Sequence, residues 1–309
     1  MSEAKSNKVK EIYYYDREKK VMCRENVMGD AFIKWAYHAL SGKLCHIFLY
    51  RLSLFSRLLG WYFDTGHSKR KITAAVKDLG IETSEFLLKT GESDPVRQYR
   101  SFNDFFYRHL KPEVRPFSDD TDEICCPADG RVLVYPNADK TTAISVKGCE
   151  TRLSELFEED ITVFTGCDVA VIRLCPADYH RFHFPCAGEL TSQRHLKGQY
   201  HSVNPVALNA VDDVFILNKR DTAIIKSDNF GLVGYVEVGA FGVGGIVQTY
   251  SGRRVSKMQE KGYFKFGGST VVLVFEGGKV SFCNDLLEKS REGVETLVKV
   301  GQPLANKIK

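Results

Sequence analysis

Residues 266–275 read FGGSTVVLVF, in which two glycines lead into a run of β-branched and aromatic residues. The run over 271–275 is typical of a β-strand, and the Gly267-Gly268-Ser269 segment before it predicts a tight turn. Similar short runs occur elsewhere in the chain, separated by Gly, Pro, Asn and Asp. They lie at 131–135, 169–172, 223–225 and 233–238. We therefore expect an α+β fold with a mainly antiparallel β-sheet core.

The N-terminal part of the chain differs in charge and in periodicity. Residues 1–75 contain 14 Lys and Arg against 7 Asp and Glu, whereas the whole chain has a net charge of only +4. Apolar residues from Phe32 to Leu40 recur at helical spacing, and an apolar stripe continues to Tyr62, which predicts amphipathic helices. Basic and aromatic residues are interspersed over 31–63, as in helices that lie in a lipid interface. Ordinary helices that pack on a protein core fit this pattern equally well.

Composition and charge exclude several classes of protein. A chain of 309 residues with 43% hydrophobic residues can bury a sizeable core, and its small net charge gives no broad basic surface for nucleic acid. No stretch approaches the roughly 18 apolar residues of a membrane-spanning helix, and the N-terminus does not resemble a signal peptide. The nine cysteines form no CxxC pair. We therefore expect reduced thiols, no zinc site and a chain that stays in the cytoplasm.

Three short segments carry candidate functional groups: CPADGR at 126–131, DYHRFHFP at 178–185, and the glycine-rich turn before the last strand run. Taken singly, each has a simple structural explanation. Asp129 before a glycine suits a turn. His180 and His183 are three positions apart, as metal ligands can be, but no third ligand stands at a suitable spacing. The sequence therefore predicts no metal site.

Together these segments resemble those of the phosphatidylserine decarboxylases, a family of pyruvoyl enzymes that cut their own backbone at a Gly-Ser bond. The similarity is most specific in the histidine segment and in the Gly-Ser-Thr segment. Further matching segments are FNDFF at 102–106, LKP at 110–112, SVNP at 202–205, NKR at 218–220 and VGA at 238–240. Ser101 and Asp104 also predict the capped start of a helix over 102–110.

The resemblance implies a self-cleavage triad of Asp129, His183 and Ser269. The Ser269 hydroxyl attacks the carbonyl of Gly268, and His183 takes the hydroxyl proton. Asp129 fixes the tautomer of the imidazole and stabilises its charge. The cleavage site is therefore Gly268-Ser269. Elimination of the resulting ester then turns residue 269 into a pyruvoyl group, so the enzyme makes its own cofactor.

Cleavage divides the chain into a β chain of residues 1–268 and an α chain of residues 269–309, which begins with the covalent pyruvoyl group from Ser269. The resemblance implies that this group forms a Schiff base with phosphatidylserine, and that loss of CO2 gives phosphatidylethanolamine. His180 is assigned to decarboxylation, as the group that transfers a proton. The commonest form of the family motif has Leu where this chain has Gly267. Since no reacting group is lost, cleavage is still expected.

The implied enzyme has two regions, a basic, amphipathic helical region for membrane association over 1–100 and a catalytic domain over 101–309. We expect it to bind peripherally to the cytoplasmic face of the cell membrane and to form a dimer of αβ units. Three other functions stay open at this point. They are a decarboxylase of a soluble amino acid, a hydrolase that uses Asp129, His183 and Ser269 as its triad, and a membrane-binding module without activity.

Overall fold

The computed structural model describes residues 13–25, 53–138, 143–146, 149–157, 164, 166–198, 218–239, 245–267 and 269–308. Residues 31–52 of the predicted amphipathic stretch over 31–63 lie outside these residues, as does Gly268. The described part is mostly β-strand with a few short helices, which confirms the predicted α+β class. Within the same ranges, no helix combines the length and the apolar content that crossing a membrane requires.

The strands and helices of the described residues are numbered in chain order. The strands are β1 (Tyr13–Asp16), β2 (Val21–Arg24), β3 (Glu123–Cys125), β4 (Gly130–Ala138), β5 (Ala143–Val146), β6 (Cys149–Arg152), β7 (Cys167–Leu174), β8 (Arg181–His183), β9 (Gly188–Leu196), β10 (Arg220–Ser227), β11 (Leu232–Gly239), β12 (Ile246–Gln248), β13 (Arg254–Val255), β14 (Glu260–Phe264), β15 (Ser269–Phe275), β16 (Val280–Phe282), β17 (Thr296–Val298) and β18 (Pro303–Lys307). The α-helices are α1 (Ser53–Asp64), α2 (Ile72–Leu79), α3 (Phe102–Phe106), α4 (Leu153–Phe157) and α5 (Asn284–Arg291). The five strand runs predicted from the sequence lie within β4, β7, β10, β11 and β15.

Ten of these strands form one sheet, in the order β13-β9-β10-β11-β15-β7-β4-β17-β1-β2. Every pairing in this sheet is antiparallel except that of β1 with β17. The antiparallel core predicted from the sequence is thus confirmed. β15 lies between β11 and β7, and all of its residues are buried. A strand buried on both faces requires the continuous apolar run that its sequence has.

The two faces of this sheet carry different cores. On one face, Val271 and Leu273 of β15 pack with Tyr235 of β11 and with Phe182 and Phe264. The last two side chains come from β8 and β14 of a three-stranded sheet, ordered β12-β14-β8, which therefore covers this face. On the other face, Val272 and Val274 of β15 belong to a second core that includes side chains of α4. Side chains alternate between the faces along each strand, so β15 contributes to both cores.

A third core, in which most of the buried side chains are aromatic, joins α1, α2 and α3. Phe63 of α1 and both Phe102 and Phe106 of α3 are buried in it. Phe266, three residues before Ser269, also packs there, with its ring centroid 4.3 Å from that of Phe63 and 5.1 Å from that of Phe102. This core therefore reaches from α1 to the segment that precedes the predicted cleavage site.

Helix α3 begins as predicted but ends earlier. The Ser101 side chain accepts a hydrogen bond from the Asp104 N–H at 3.2 Å, which confirms the predicted cap. The helix then stops at Phe106, so the prediction of a helix over 102–110 is wrong at its C-terminal end. Leu110 instead forms a β-bridge with Phe86. Backbone groups that pair with a distant segment cannot also form helical hydrogen bonds, and this pairing ends the helix.

Candidate active site

Ser269 is the first residue of β15 and is fully buried. In the sheet register it lies between Leu174 of β7 and Gly239 of β11. Gly239 has no side chain, so β11 places none directly opposite the Ser269 hydroxyl. The Oγ atom also has no hydrogen-bond partner among the described residues. The buried hydroxyls of Tyr99, Thr222, Thr270 and Thr296 are also unpaired within the described ranges, so Ser269 is distinguished from them by its position directly after the predicted scissile bond.

The segment before Ser269 is held by α3. The buried Asn103 side chain accepts a hydrogen bond through Oδ1 from the Phe266 N–H at 2.7 Å. The Asn103 amide in turn donates to Oδ1 of Asp64 at 2.9 Å, and Lys265 forms an ion pair with the same carboxylate at 3.0 Å. One polar network therefore joins α1, α3 and the segment that leads into β15.

Gly267 has a backbone φ of +144°. Glycine adopts this region readily, whereas a residue with a Cβ atom rarely does. The Leu that is common in the resembling family would be strained here by about 1–3 kcal/mol. The departure from the family motif therefore has a conformational reason, because the bend before β15 depends on glycine.

His180 lies just before β8 and is fully buried. Its Nδ1 stands 2.9 Å from the carbonyl oxygen of Asp178. Since a carbonyl oxygen can only accept, Nδ1 carries the proton and Nε2 holds the lone pair. Burial, with a smaller effect of Arg108, lowers the pKa of His180 to about 3, so the ring is neutral. Nε2 has no partner among the described residues, and the Phe106 ring packs on the imidazole with centroids 3.8 Å apart.

His183 is the last residue of β8. Its backbone N–H donates to the Pro127 carbonyl at 2.9 Å, which places β8 beside the CPADGR segment. Within the described structure, its buried Nδ1 has no hydrogen-bond partner. Burial lowers the pKa of His183 below its usual value, although Glu260, opposite in the strand register, and Asp129 act in the other direction. The imidazole is therefore mainly neutral at physiological pH and can accept a proton.

Asp129 is buried directly before β4, and its carboxylate is held by two donors. Arg115 donates from Nη2 to Oδ2 at 2.7 Å and from Nε to Oδ1 at 3.1 Å. The Val300 N–H donates to Oδ1 at 2.7 Å. Glu85 binds the same Arg115 guanidinium at 3.0 Å. The Asp129 carboxylate is thus fixed in place with its negative charge balanced by Arg115.

The fold brings Asp129 and His183 into the same region without a direct hydrogen bond. β8 contacts the segment before β4, and the charge of Asp129 acts on the pKa of His183. The part of the chain that the structure describes also has no hydrogen bond between His183 and Ser269. The self-cleavage triad therefore remains a prediction, and the structure defines the surroundings of each member.

Two residues that shape this site were missed by the sequence analysis. Arg115 lies fourteen positions before Asp129 among loop residues, and nothing local to it marks a partner for the carboxylate. Asn103 is part of the matching FNDFF segment, which is its one signal, but its contact with Phe266 joins residues 163 positions apart. Both roles depend on contacts between distant segments, which a sequence pattern does not reveal.

A buried ionic cluster connects the two chains that cleavage is expected to produce. Arg173 of β7 donates to Glu25 at 2.7 Å and to Glu295 at 2.6 Å. All three side chains are buried. Glu295 belongs to residues 269–309, and the other two belong to the longer chain. Breaking this cluster would leave a buried charge unpaired, so it ties the two parts of the molecule together.

Comparison with known proteins identifies relatives over nearly the whole chain. A family model described as phosphatidylserine decarboxylase matches residues 102–306. A phosphatidylserine decarboxylase proenzyme of Ruminiclostridium cellulolyticum is 39% identical over 96% of this chain and 98% of its own length. Proteins of the same name are 41% identical in Clostridium botulinum strain Alaska E43 and 40% identical in Clostridium beijerinckii. Each of these covers 96% of this chain and 99% of the relative.

These matches place the chain among the carboxy-lyases that are made as proenzymes. The chain belongs to the phosphatidylserine decarboxylase family. The resemblance found in the sequence is thereby confirmed.

Proposed function

We propose that this protein cleaves itself at Gly268-Ser269 and then decarboxylates phosphatidylserine to phosphatidylethanolamine. The observation that carries the proposal is the Ser269 hydroxyl. It is buried, it has no hydrogen-bond partner among the described residues, and it directly follows the predicted scissile bond. The names of the relatives supply the substrate class, which favours a phospholipid over a soluble amino acid.

Self-cleavage needs a base for the Ser269 hydroxyl. As Oγ bonds to the carbonyl carbon of Gly268, the hydroxyl proton leaves and an ester C–O bond replaces the amide C–N bond. We assign the base to His183, because its Nδ1 is unpaired among the described residues and its lowered pKa keeps the ring neutral. Asp129 is the proposed third member. Since Arg115 holds the Asp129 oxygens, this carboxylate stabilises the protonated imidazole through its charge.

The surroundings of Ser269 fit a covalent pyruvoyl group. Gly239 leaves the position opposite Ser269 without a side chain. Because Oγ has no hydrogen-bond partner among the described residues, replacing the hydroxyl by a pyruvoyl carbonyl breaks no hydrogen bond there. The group supplies a carbonyl that takes up the electrons released with CO2. We assign proton transfer during decarboxylation to His180, which holds a proton on Nδ1 and presents the lone pair of Nε2. Its burial beside Phe106 keeps bulk water from that nitrogen.

The two chains, residues 1–268 and 269–309, are proposed to stay associated after cleavage. β15 pairs on both sides with strands of the longer chain, β11 and β7. β17 pairs with β4 and β1, and β18 pairs with β3. The Arg173–Glu295 ion pair also joins the two chains in the interior. Loss of one covalent bond therefore leaves the sheet intact. The dimer of αβ units is a further proposal that rests on the family resemblance.

We also propose that residues 1–100 bind peripherally to the cytoplasmic face of the cell membrane and that residues 101–309 form the catalytic domain. Trp61 and Leu58 of α1 support membrane contact, since they are 70% and 57% exposed. Large apolar side chains that face water gain free energy in a lipid interface, and the basic surplus of this region is attracted to anionic lipid. The aromatic core joins α1 to α3, so the two regions share a buried surface.

The mass of the denatured protein tests the proposal. Wild-type protein should give two fragments, residues 1–268 and residues 269–309. Borohydride should trap the smaller fragment as a covalent adduct with phosphatidylserine. Ser269→Ala should give one full-length mass. A single full-length mass from folded, active wild-type protein would overturn the proposal, and labelling of intact Ser269 by a phosphonate would then identify a hydrolase. If the cleaved protein releases CO2 from free serine but not from phosphatidylserine vesicles, it is a decarboxylase of a soluble amino acid.

A further inference from the structure

Decarboxylation consumes one proton in each turnover, because a bond from carbon to hydrogen replaces the bond from carbon to the departing carboxylate. The site at Ser269 is buried, so a side chain inside the protein must deliver that proton. His180 holds its proton on Nδ1 against the Asp178 carbonyl, and Nε2 is unprotonated at neutral pH. His180 Nε2 therefore has no proton to donate, so the proton transfer assigned to His180 is acceptance at Nε2, and a second group is needed to supply the proton.

Glu237 lies on the same face of the sheet as Ser269. In the register of β11 and β15 it stands opposite Val271, two positions from the pair of Gly239 and Ser269. Side chains alternate between faces, and both Val271 and Tyr235 belong to the core on this face. Glu237 and Ser269 are therefore diagonal neighbours. Such neighbours are ~7–8 Å apart, within reach of a long side chain.

Glu237 is fully buried, and one of its two oxygens is engaged. Oε1 accepts a hydrogen bond from Nζ of Lys261, which is also buried. Oε2 has no partner among the described residues. Burial raises the pKa of Glu237 to about 7, although Lys261 opposes this increase and Asp221 adds to it. A carboxyl group with this pKa both holds and releases a proton at physiological pH.

A cavity of about 270 Å³ is lined by Lys261 of this buried pair. Lys261 Nζ donates to Oε1 of Gln248 at 3.1 Å, and Gln248 Nε2 donates to Oδ2 of Asp221 at 3.0 Å. Asp221 pairs with His195, whose side chain is 54% exposed. Lys261, Gln248, Asp221 and His195 all line the cavity. Solvent thus has a route to the ammonium group that holds Glu237.

Side chains from three neighbouring strands face the Glu237 carboxyl or its partner. β14 contributes Lys261, β10 contributes Asp221, which is opposite Glu237 in register, and β15 contributes the apolar Val271. Four aromatic rings have their centroids 5.0–5.9 Å from Lys261 Nζ. These rings belong to Phe182, Phe184, Tyr235 and Tyr250. The aromatic rings keep the pair dry, so the cavity is the side from which a proton enters.

We propose that Glu237 is the proton donor of the decarboxylation and that solvent reloads it through the cavity that Lys261 lines. This inference rests on the proposed function. In the step, the O–H bond of the Glu237 carboxyl breaks and a C–H bond forms at the substrate carbon that has lost CO2. The carboxylate takes its next proton from solvent that enters through the cavity, while the Lys261 ammonium keeps its own protons and holds Oε1 in place. Each turnover therefore removes one proton from solvent.

Glu237→Gln keeps the shape of the side chain and removes the acid. We expect this variant to cleave itself into two fragments but to release CO2 from phosphatidylserine vesicles at least about 100-fold more slowly. The wild-type rate should fall as the pH rises above about 7, because the protonated carboxyl is lost. The residual rate of the variant should lack this fall. Asp168→Asn is the control, because it alters another buried carboxyl that pairs with Phe275, at the end of β15 away from Ser269. This variant should match the wild type.

A second measurement does not depend on turnover. Infrared titration of the uncleaved Ser269→Ala protein should show a band of a protonated carboxyl that disappears as the pH rises through about 7. The band should be absent when Glu237→Gln is added. The proposal is overturned if Glu237→Gln keeps the wild-type rate and pH profile, or if the infrared band is missing. If Glu237→Gln does not cleave itself, its rate cannot be measured, and the infrared band alone tests the proposal. If cleaved wild-type protein releases no CO2 from phosphatidylserine, the proposed function fails, whereas the band still reports on Glu237.

Discussion

Asn103 of α3 accepts a hydrogen bond from the Phe266 N–H at 2.7 Å, so one helix residue fixes the segment that enters the proposed cleavage site. Phe266 stands three residues before Ser269, and Gly267 between them has a φ of +144°. A displacement of about 1 Å at a reacting atom can lower a rate 10²-fold. The geometry of the Ser269 hydroxyl therefore depends on a contact that involves no reacting group.

Asn103→Ala should slow self-cleavage. The change leaves the Phe266 N–H without its acceptor, which costs about 1–3 kcal/mol and loosens the segment. We expect the full-length chain to persist about tenfold longer in a time course of denatured mass. Asn229→Ala is the control, since that amide donates to the Thr121 carbonyl at an exposed site. Equal cleavage rates in the two variants would contradict the role of Asn103.

Substitutions of His183 and His180 should affect different reactions, self-cleavage for His183 and decarboxylation for His180. His183→Gln should leave the chain at full length, because the Ser269 hydroxyl loses its base. His180→Gln should still give two fragments, but the cleaved protein should release CO2 from phosphatidylserine vesicles at least about 100-fold more slowly than the wild type. Each variant is the control for the other, since both replace a neutral imidazole with an amide. Normal cleavage of His183→Gln would show that another group is the base.

Gly267→Leu introduces the residue that is common in the family, and it should nevertheless slow cleavage here. The φ of +144° strains a Leu by about 1–3 kcal/mol, and relief of that strain moves the segment before Ser269. Gly252→Leu is the control, because Gly252 has a φ of +80° at an exposed position with open space around it. Both variants should lower the melting temperature. Only Gly267→Leu should extend the lifetime of the full-length chain, and its cleavage at the wild-type rate would refute the prediction.

Much of the sheet can be predicted from the sequence because each strand has a local signal. The run over 271–275 is apolar at every position since both faces of β15 are buried. The end of α3 could not be predicted in this way. Leu110 pairs with Phe86, and a contact between segments so far apart overrides the local preference for helix.

In the candidate site, too, some residues have a local sequence signal, whereas others depend on contacts between distant segments. Ser269 and the two histidines stand out in the sequence because their segments carry recognisable chemical groups. The residues that hold the carboxylates of the site do not stand out. Arg115 contacts Asp129, and Lys261 contacts Glu237, only after distant strands and loops come together. Reactive side chains can thus be read from short motifs, whereas the residues that set their charge and protonation require the fold.

Glu295→Gln should weaken the association of the two chains after cleavage. Arg173 lies between Glu25 and Glu295 in the interior, and removal of one partner from a buried ion pair costs about 3–5 kcal/mol. We expect a lower melting temperature and earlier loss of the short chain in mild denaturant, measured by size exclusion. Glu292→Gln is the matched control, because its exposed side chain forms a surface ion pair worth ~0–1 kcal/mol. Equal retention of the short chain in both variants would contradict this role.

The same cluster should make stability depend on pH. Burial alone would raise the pKa of Glu25, yet the Arg173 guanidinium lowers it from 4.5 to about 2. A carboxylate whose pKa is lower in the folded protein stabilises the fold above its unfolded pKa, and that stabilisation is lost as the pH falls toward the folded pKa. The free energy of unfolding of the wild type should therefore decrease between pH 4.5 and 2. Glu25→Gln should show a smaller decrease in thermal unfolding over this range, and the same decrease in both proteins would mean that Arg173 does not hold Glu25 ionised.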